Sequence, residues 1–225
     1  MSAPSAEPLT FPAGSRSLPA LWTAAERPAA VAAIAHGAGA GKEHPFLEGV
    51  AEGLAAGGVS ALRFDFPYVA EGRRSPDRPP ALVEAWRGAL AEAALRAGGL
   101  PVVAGGKSLG GRMASMLAAE EGSGFPARGL VFFGYPLHAP GRSDQPRDGH
   151  LSAVTVPMLF IQGTQDPLAT FALMEALVRR LGPRARLHAV AGDHSFRVRG
   201  ARRPDGEIGR DLGAVGAAFA RGMAG

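Results

Sequence analysis

Residues 105–111 read Gly-Gly-Lys-Ser-Leu-Gly-Gly, between an apolar run at 101–104 and a helix-like stretch that follows directly. The pattern is G-x-S-x-G, with Ser108 at its centre. A serine at such a strand-to-helix turn takes a strained backbone conformation, and glycines at 106 and 110 remove the side chains that would clash there. Strain of this kind concentrates at functional sites. The stretch therefore predicts a nucleophile elbow.

Short apolar runs alternate with longer segments of helical period from residue 29 onward, which is typical of a mostly parallel sheet with crossover helices on both faces. The predicted class is α/β. We predict strands at 29–35, 59–64, 101–104, 129–133, 158–162 and 186–190, with 18–23 as an antiparallel edge strand. We predict helices at 46–56, 80–97, 109–121, 170–181 and 209–223.

The length of 225 residues fits one domain, which we assign to 17–225 after a flexible segment at 1–16. The longest irregular connection, 134–156, is rich in proline, glycine and charged residues. It is too short for a large helical cap. We therefore expect an open pocket, and a bulky buried substrate is disfavoured.

The composition excludes several kinds of site. The chain has no cysteine, which rules out disulfides, thiolate metal ligands and a cysteine nucleophile. The net charge is +4, but all except two of the 24 basic residues are arginines, and their scatter indicates a solvated surface. The arginines at 197–203 face either an acidic substrate or water. We expect a cytoplasmic protein with no cofactor, metal, nucleic acid or membrane partner.

A serine hydroxyl needs a base to take its proton and a third group to hold that base in the correct tautomer. In a sheet with a nucleophile elbow, the acid follows a later strand and the histidine follows the last one, because these strand ends converge on the elbow. Asp166 lies just past 158–162, and His194 just past 186–190. An aspartate before proline is also a common turn residue. The order Ser108, Asp166, His194 favours the catalytic interpretation.

Other acids and histidines fit this order less well. Asp193 is adjacent in sequence to His194 and is poorly placed to orient its ring. The remaining rivals lie in the irregular connection, inside a strand or at a helix start: Asp144, Asp148, His138, His150, His188 and His44.

Residues 36–42, His-Gly-Ala-Gly-Ala-Gly-Lys, follow the first central strand. A phosphate-binding Walker A loop would need glycine at the first position and serine or threonine after the lysine, where the chain has His36 and Glu43. A dinucleotide-binding fingerprint fails because its last glycine is replaced by lysine. As an HG-type loop, the segment presents backbone N–H groups toward the elbow. We predict that the N–H groups of Ala38 and Leu109 bind an oxyanion, and that His36 is structural.

Six segments together are more specific than a generic elbow: 35–40, 64–68, 72–80, 105–112, 134–138 and 192–196. They resemble the small α/β-hydrolase family that includes the testis-expressed hydrolase-like proteins and the hydrolase-like third subunit of the NSL histone acetyltransferase complex. More distantly, they resemble dienelactone hydrolases. The resemblance covers about 17–222. It implies a minimal α/β-hydrolase without a helical cap, with Ser108, Asp166 and His194 as its triad.

The resemblance has limits. Dienelactone hydrolases use cysteine where this chain has Ser108, which argues against that particular activity. His138 and the arginines of 72–80 match family positions to which the resemblance assigns no role, and loop anchoring is the simplest interpretation of them.

Two functions stay open at this point. The first is a serine hydrolase, a carboxylesterase acting on small acyl esters, although thioester, peptide or lactone cleavage would use the same triad. The second is a non-catalytic interaction module, suggested by the resemblance to a chromatin-complex subunit and by the arginine-rich surface. An intact elbow, acid and base favour the enzyme, because a binding module does not need a strained serine with two partners. The sequence does not indicate an oligomeric state.

Overall fold

The computed structural model describes residues 6–223. Eight strands form one sheet in the order β1-β2-β4-β3-β5-β6-β7-β8. The strands are β1 (Ala6–Ala13), β2 (Arg16–Thr23), β3 (Ala30–Ala35), β4 (Val59–Phe64), β5 (Val102–Lys107), β6 (Leu130–Phe133), β7 (Met158–Gly163) and β8 (Ala185–Val190). β3 to β8 are parallel, and the hairpin of β1 and β2 joins them antiparallel through β4.

Helices follow most of the strands and cover the sheet. They are α1 (Pro45–Ala56), α2 (Pro67–Ala70), α3 (Pro79–Ala97), α4 (Leu109–Glu121), α5 (Phe171–Leu181) and α6 (Asp205–Arg221). Within residues 6–223, no helix combines the length and the apolar character that a bilayer crossing needs. The predicted α/β class is confirmed, and every predicted strand and helix is present within a few residues of its predicted bounds.

The prediction for the N-terminus is wrong. Residues 1–16 were expected to be flexible, but Ala6–Ala13 is a strand and pairs with β2 along its whole length. Consequently β2 lies inside the sheet and β1 is the edge. Two prolines lower the strand signal of this segment, yet an edge strand tolerates them, and Phe11 is buried against the core. Residues 1–5 lie outside the described part of the chain.

The helices depart most from the prediction at two places. α6 begins at Asp205, four residues before the predicted start at 209, after Pro204 and with Asp205 and Glu207 in its first turn. Acidic residues are favourable at a helix N-terminus. The short helix α2 was not predicted.

The core has two layers, one on each face of the sheet. Neighbouring residues of one strand point to opposite layers: Phe132 packs with α3, α4 and α5, whereas Phe133 packs with α1 and α6. Because both faces are covered, the central strands carry apolar residues at consecutive positions. The sequences of the central strands are therefore continuous apolar runs.

Helices α1 and α6 approach each other with almost no side chain between them. A Cβ atom on Gly53 of α1 would overlap the carbonyl oxygen of Arg210, and one on Gly213 of α6 would overlap that of Val50. Any larger residue at these positions would push the helices apart. The close contact fixes α6 beside the loop that follows β8.

Candidate active site

Ser108 lies between β5 and α4 with φ 49° and ψ −112°. Among residues 6–223, only Ser108 and Phe196 have a positive φ without being glycine. A Cβ atom on Gly106 or Gly110 would overlap the carbonyl oxygen of Ala35 at the end of β3. The elbow therefore packs directly on the main chain of β3, and its glycines are required for that contact. The predicted strained turn is present.

The side chains of Ser108, His194 and Asp166 form one hydrogen-bonded chain. Ser108 Oγ lies 2.9 Å from His194 Nε2, and His194 Nδ1 lies 2.7 Å from Asp166 Oδ2. The Asp166 side chain is fully buried, while that of His194 is 21% exposed. With Nδ1–H donating to the carboxylate, Nε2 is left as an acceptor facing the hydroxyl. The structure thus brings the three predicted residues together in the predicted order.

Asp166 is held by further donors. Gln162 Nε2 donates to Asp166 Oδ2 at 2.6 Å, and the N–H of Leu168 donates to Oδ1 at 2.7 Å. The amide oxygen of Gln162 accepts the N–H of Tyr135 at 2.8 Å, which ties this network to the end of β6. Each of these neighbours donates a hydrogen bond to the carboxylate, so its position and orientation are fixed. Gln162 was not identified from sequence; its only signal is a polar residue inside the apolar run of β7.

The loop that carries His194 is a closed turn. Asp193 Oδ1 accepts the N–H groups of Ser195 and Arg197 at 2.8 and 3.0 Å, and the N–H of Asp193 donates to the Arg197 carbonyl at 3.0 Å. The Phe196 ring stacks on Phe46 of α1 with centroids 5.8 Å apart. The carboxylate of Asp193 thus braces the turn and, as predicted, does not orient the His194 ring.

The loop after β3 is fastened to the end of β4. His36 Nδ1–H donates to the Gly37 carbonyl at 2.8 Å, and Nε2 accepts the N–H of Phe66 at 3.1 Å. Burial is the largest influence on the pKa of His36 and lowers it, which keeps the ring neutral. Asp65 accepts both the N–H and the ammonium of Lys42, at 2.7 and 2.9 Å. These contacts give His36 the structural role that the sequence indicated.

Ala38 lies in the loop after β3, and Leu109 directly follows Ser108 in the elbow. Within residues 6–223, neither N–H donates to a backbone carbonyl. Leu109 is the first residue of α4, where helix N–H groups have no intrahelical acceptor. Ala38 lines the cavity beside Ser108. Both N–H groups are therefore free to bind a ligand oxygen, and their oxyanion role stays a prediction.

A cavity of about 320 Å³ opens beside Ser108. Its walls are mainly small or apolar side chains, with His44, Lys107, His194 and Arg197 as the basic ones. In the described part of the chain, the connection at 134–156 holds only one short 3-10 turn, Gly149–Ala153, and no helical cap. The volume of the cavity beside Ser108 lies at the low end of the range for ligand pockets.

A second serine–histidine pair lies away from this cavity. Ser115 Oγ is 2.8 Å from His150 Nε2 and donates to the Arg112 carbonyl at 2.8 Å. Because the hydroxyl proton is used for Arg112, the imidazole N–H must donate to Ser115. Burial, followed by the charge of Arg112, lowers the pKa of His150 to about 4. The pair was not predicted, and its contacts serve packing between α4 and the turn that holds His150.

The arginine segment at 197–203 faces α6. Arg197 pairs with Asp205 and Arg203 with Asp211, at 2.8 and 2.7 Å. Both arginine side chains are largely exposed. The contacts favour a solvated surface for Arg203, whereas Arg197 also lines the cavity beside Ser108, so both interpretations stay open for it.

His138 and Arg73, two of the family positions without an assigned role, form scaffold contacts. His138 Nε2 accepts the N–H of Thr170 at 2.9 Å, and Nδ1 lies 2.9 Å from the Ala139 carbonyl. This fastens the irregular connection to the start of α5. Arg73 pairs with Glu71 and Asp77 at the surface, at 2.6 and 2.7 Å. These contacts are those expected of loop anchoring.

The chain is similar in sequence and in structure to known proteins. Residues 28–208 match the family model described as an alpha/beta hydrolase domain. A dienelactone hydrolase from Anabaena variabilis superposes with a TM-score of 0.75 at 22% identity, covering 97% of each chain. A serine hydrolase without a lid from Xanthomonas campestris gives 0.73 at 18%, covering 96% of this chain and 94% of the other. The esterase domain of a Rhodothermus marinus protein gives 0.71 at 18%, covering 98% and 100%.

The structural similarities are at low identity and show the fold. The family model spans most of the chain, including the elbow and the loops that carry Asp166 and His194. Together with the parallel sheet that ends in a strained serine turn, this match shows that the chain belongs to the α/β-hydrolase family.

Proposed function

We propose that this protein is a serine hydrolase, specifically a carboxylesterase that cleaves small acyl esters through an acyl-enzyme on Ser108. The observation that carries the proposal is the unbroken chain of hydrogen bonds from Ser108 through His194 to the buried Asp166. This chain ends at the wall of a small open cavity. A nucleophile, a base and an orienting acid are the groups that acyl transfer requires.

In the acylation step, Ser108 Oγ attacks the ester carbonyl carbon while its proton passes to His194 Nε2. Asp166 stabilises the imidazolium that forms. The carbonyl oxygen becomes an oxyanion and accepts the N–H groups of Ala38 and Leu109. The bond to the leaving alcohol then breaks, and the imidazolium gives its proton to the departing oxygen. An ester between the acyl group and Ser108 remains.

In the second step, water attacks the acyl carbon and gives a proton to His194 Nε2. The tetrahedral intermediate collapses, the bond to Ser108 Oγ breaks, and the imidazolium returns a proton to the serine. The carboxylic acid leaves. The same base and the same N–H groups act in both steps, so one site is sufficient for the whole cycle.

The size of the cavity supports a small acyl group. Ala38, Ala40 and Leu168 bring apolar walls close to Ser108, and no cap encloses a longer chain in the described residues. The proposal also assigns the protein to the testis-expressed and NSL-subunit group of α/β-hydrolases, which the six sequence segments resemble. The proposal includes a cytoplasmic enzyme, because the cysteine-free composition is compatible with a reducing compartment.

The matched pair of serines gives a direct test. A fluorophosphonate probe is expected to label the wild type once per chain, and labelling is expected to disappear in Ser108→Ala. Hydrolysis of p-nitrophenyl acetate is expected to fall by about 10⁴-fold or more in the same variant. Ser115→Ala is the control, because it removes a hydroxyl that also contacts a histidine. It is expected to keep labelling and turnover.

Folding of each variant is checked by circular dichroism. Folded wild type that resists the probe, or labelling that persists in Ser108→Ala, would contradict the proposal and favour the interaction module. Esters of increasing chain length address the substrate: a preference for long chains would contradict the small-acyl assignment while leaving the triad in place.

A further inference from the structure

Lys107 directly precedes the proposed nucleophile and carries a cation that the reaction scheme above does not use. Its ammonium donates to the backbone carbonyl of His194 at 2.6 Å and lies 5.6 Å from the centre of the Phe196 ring. No ion pair of Lys107 is found among residues 6–223. Lys107 is half-buried at the edge of the cavity, where a partly desolvated charge without a carboxylate partner is costly. Its main contact is instead with the residue that supplies the base.

The path of this side chain crosses the end of β6. Gly134 lies beneath it with φ 71°. A Cβ atom on Gly134 would lie 3.1 Å from Lys107 Nζ and 3.2 Å from the His194 carbonyl oxygen, tight enough that both would have to shift by a few tenths of an ångström. The absence of a side chain at this position lets the ammonium reach the histidine loop. Three strand ends therefore meet at one hydrogen bond.

We propose that Lys107 is a positioning residue, whose ammonium fixes the main chain of His194 to the strand end that carries Ser108. This inference rests on the proposed function. His194 is then held by its side chain through Asp166 and by its carbonyl through Lys107. A hydrogen bond from an ionised donor is stronger than a neutral one. The histidine loop is thus tied to the elbow itself as well as to the acid.

Precise placement of the base has a large effect on rate. A misplacement of about 1 Å at a reacting group can cost about 100-fold. The 2.9 Å contact between Ser108 and His194 depends on where the loop backbone lies relative to the elbow. Lys107 is adjacent to Ser108 in the chain, so its bond to the loop fixes that distance most directly.

The charge on Lys107 depends on pH. Burial lowers its pKa from 10.5 to about 8, and the carboxylates of Asp166 and Asp193 partly oppose this shift. The titratable groups that face the ammonium come from the loops after β7 and β8: Asp166, Asp193 and the imidazole of His194. As pH rises through about 8, the ammonium becomes a neutral amine and its bond to the carbonyl weakens. The base is then held less firmly.

Variants of Lys107 test the inference in a way that separates positioning from folding. Lys107→Met replaces a desolvated charge with an apolar chain of similar length and is expected to fold. Its kcat for p-nitrophenyl acetate at pH 7 is expected to fall about 10- to 100-fold, with KM nearly unchanged. The wild-type kcat is expected to decline above pH 8, and this decline is expected to vanish in Lys107→Met. Arg96→Met, which removes a cation of α3 paired with Glu92, is the control.

Lys107→Gln keeps an N–H donor without a charge. We expect it to recover part of the kcat lost in Lys107→Met and to show no alkaline decline. A folded Lys107→Met with wild-type kcat and the same decline would overturn the inference. So would an unchanged kcat with a raised KM, because Lys107 would then contact substrate and not position the base.

A measurement on the resting protein distinguishes the positioning role of Lys107 from the proposed function, because it does not depend on turnover. The downfield proton resonance of His194 Nδ1–H reports the bond to Asp166 in the resting protein. It is expected to shift in Lys107→Met and to stay unchanged in Arg96→Met. Wild type that does not hydrolyse esters would contradict the proposed function, whereas an unchanged resonance in Lys107→Met would overturn the positioning role.

Discussion

Two serine–histidine pairs in this molecule have nearly the same geometry, with oxygen–nitrogen distances of 2.9 Å for Ser108–His194 and 2.8 Å for Ser115–His150. Their surroundings differ. Ser108 is at a strained turn beside an open cavity. Ser115 is completely buried in a regular helix. A short distance between the two side chains is therefore not sufficient evidence for a nucleophile.

The direction of the proton separates the pairs more sharply. The carboxylate of Asp166 accepts Nδ1–H of His194, so the other ring nitrogen can accept the proton of Ser108. At the second pair the hydroxyl proton goes to the Arg112 carbonyl, and the ring must donate. Only the first arrangement contains a base that is ready to act. Whether a histidine can act as a base is therefore decided by its other hydrogen-bond partners: the Asp166 carboxylate at the first pair and the Arg112 carbonyl at the second.

The largest expected effect comes from removing the charge that orients the first pair. In Asp166→Asn, an amide replaces a carboxylate that accepts hydrogen bonds from Gln162, Leu168 and His194 in the wild type. We expect the ring to change tautomer and to present N–H to Ser108, as in the second pair. Turnover of p-nitrophenyl acetate is expected to fall by about 10⁴-fold.

Asp148→Asn is the matched control, since this carboxylate acts on His150 through space and pairs with Arg180 at the surface. Its kcat is expected to stay close to that of the wild type. Retention of more than a tenth of the activity in Asp166→Asn would mean that the acid does not set the tautomer.

An intermediate effect is expected from the elbow, which the second pair does not share. Gly106→Ala places a methyl group on the Ala35 carbonyl at a φ of +153°. We expect the free energy of unfolding, measured in urea, to fall by more than about 3 kcal/mol. Gly124→Ala is the control, because a Cβ atom there meets nothing within 4 Å. A loss below about 1 kcal/mol in Gly106→Ala would show that the elbow can relax.

The smallest effect concerns the second pair and its pH dependence. The pKa of His150 in the folded protein is about 4, below its ordinary value of 6.5. Between these values the unfolded chain binds a proton that the folded chain does not, so stability falls as pH falls. From pH 7 to pH 4.5, the wild type is expected to lose roughly 1–2 kcal/mol more than His150→Gln, after allowance for partial solvent screening.

Urea unfolding of both proteins at the two pH values measures this difference. Hydrolysis by His150→Gln at pH 7 is expected to match the wild type. Equal pH dependence of stability in the two proteins would contradict the shifted pKa, and lost hydrolysis would contradict the structural role of the pair.

The proposed acid and base could be located from the sequence because their positions follow from chain order and strand ends. Asp166 and His194 each come directly after an apolar run, and parallel strands bring such positions to one edge. Gln162 could not be assigned, because its pattern shows only a polar residue in a strand. Its contact with Asp166 depends on the turn that follows.

Contacts between segments that are distant in sequence could not be predicted from sequence patterns. Ser115 and His150 are 35 residues apart, and nothing in either segment indicates that the turn packs on α4. Lys107 occupies an unspecified position of the elbow motif. Its direction is set by Gly134 and by the loop after β8, which only the folded structure brings together. The N-terminal strand was missed for a similar reason, since its prolines are tolerated only at a sheet edge.

The glycine contact between α1 and α6 affects how this part of the molecule responds to temperature. Where the two helices cross, they touch through main-chain atoms, which gains dispersion energy, while apolar side chains of both helices, such as Leu54 and Leu212, are buried in the layer around the crossing. Hydrophobic stabilisation weakens on cooling and accounts for most of the heat capacity of unfolding, whereas close atomic contact does not depend on water in this way. The glycine crossing between α1 and α6 is therefore expected to weaken less on cooling than the apolar layer that surrounds it.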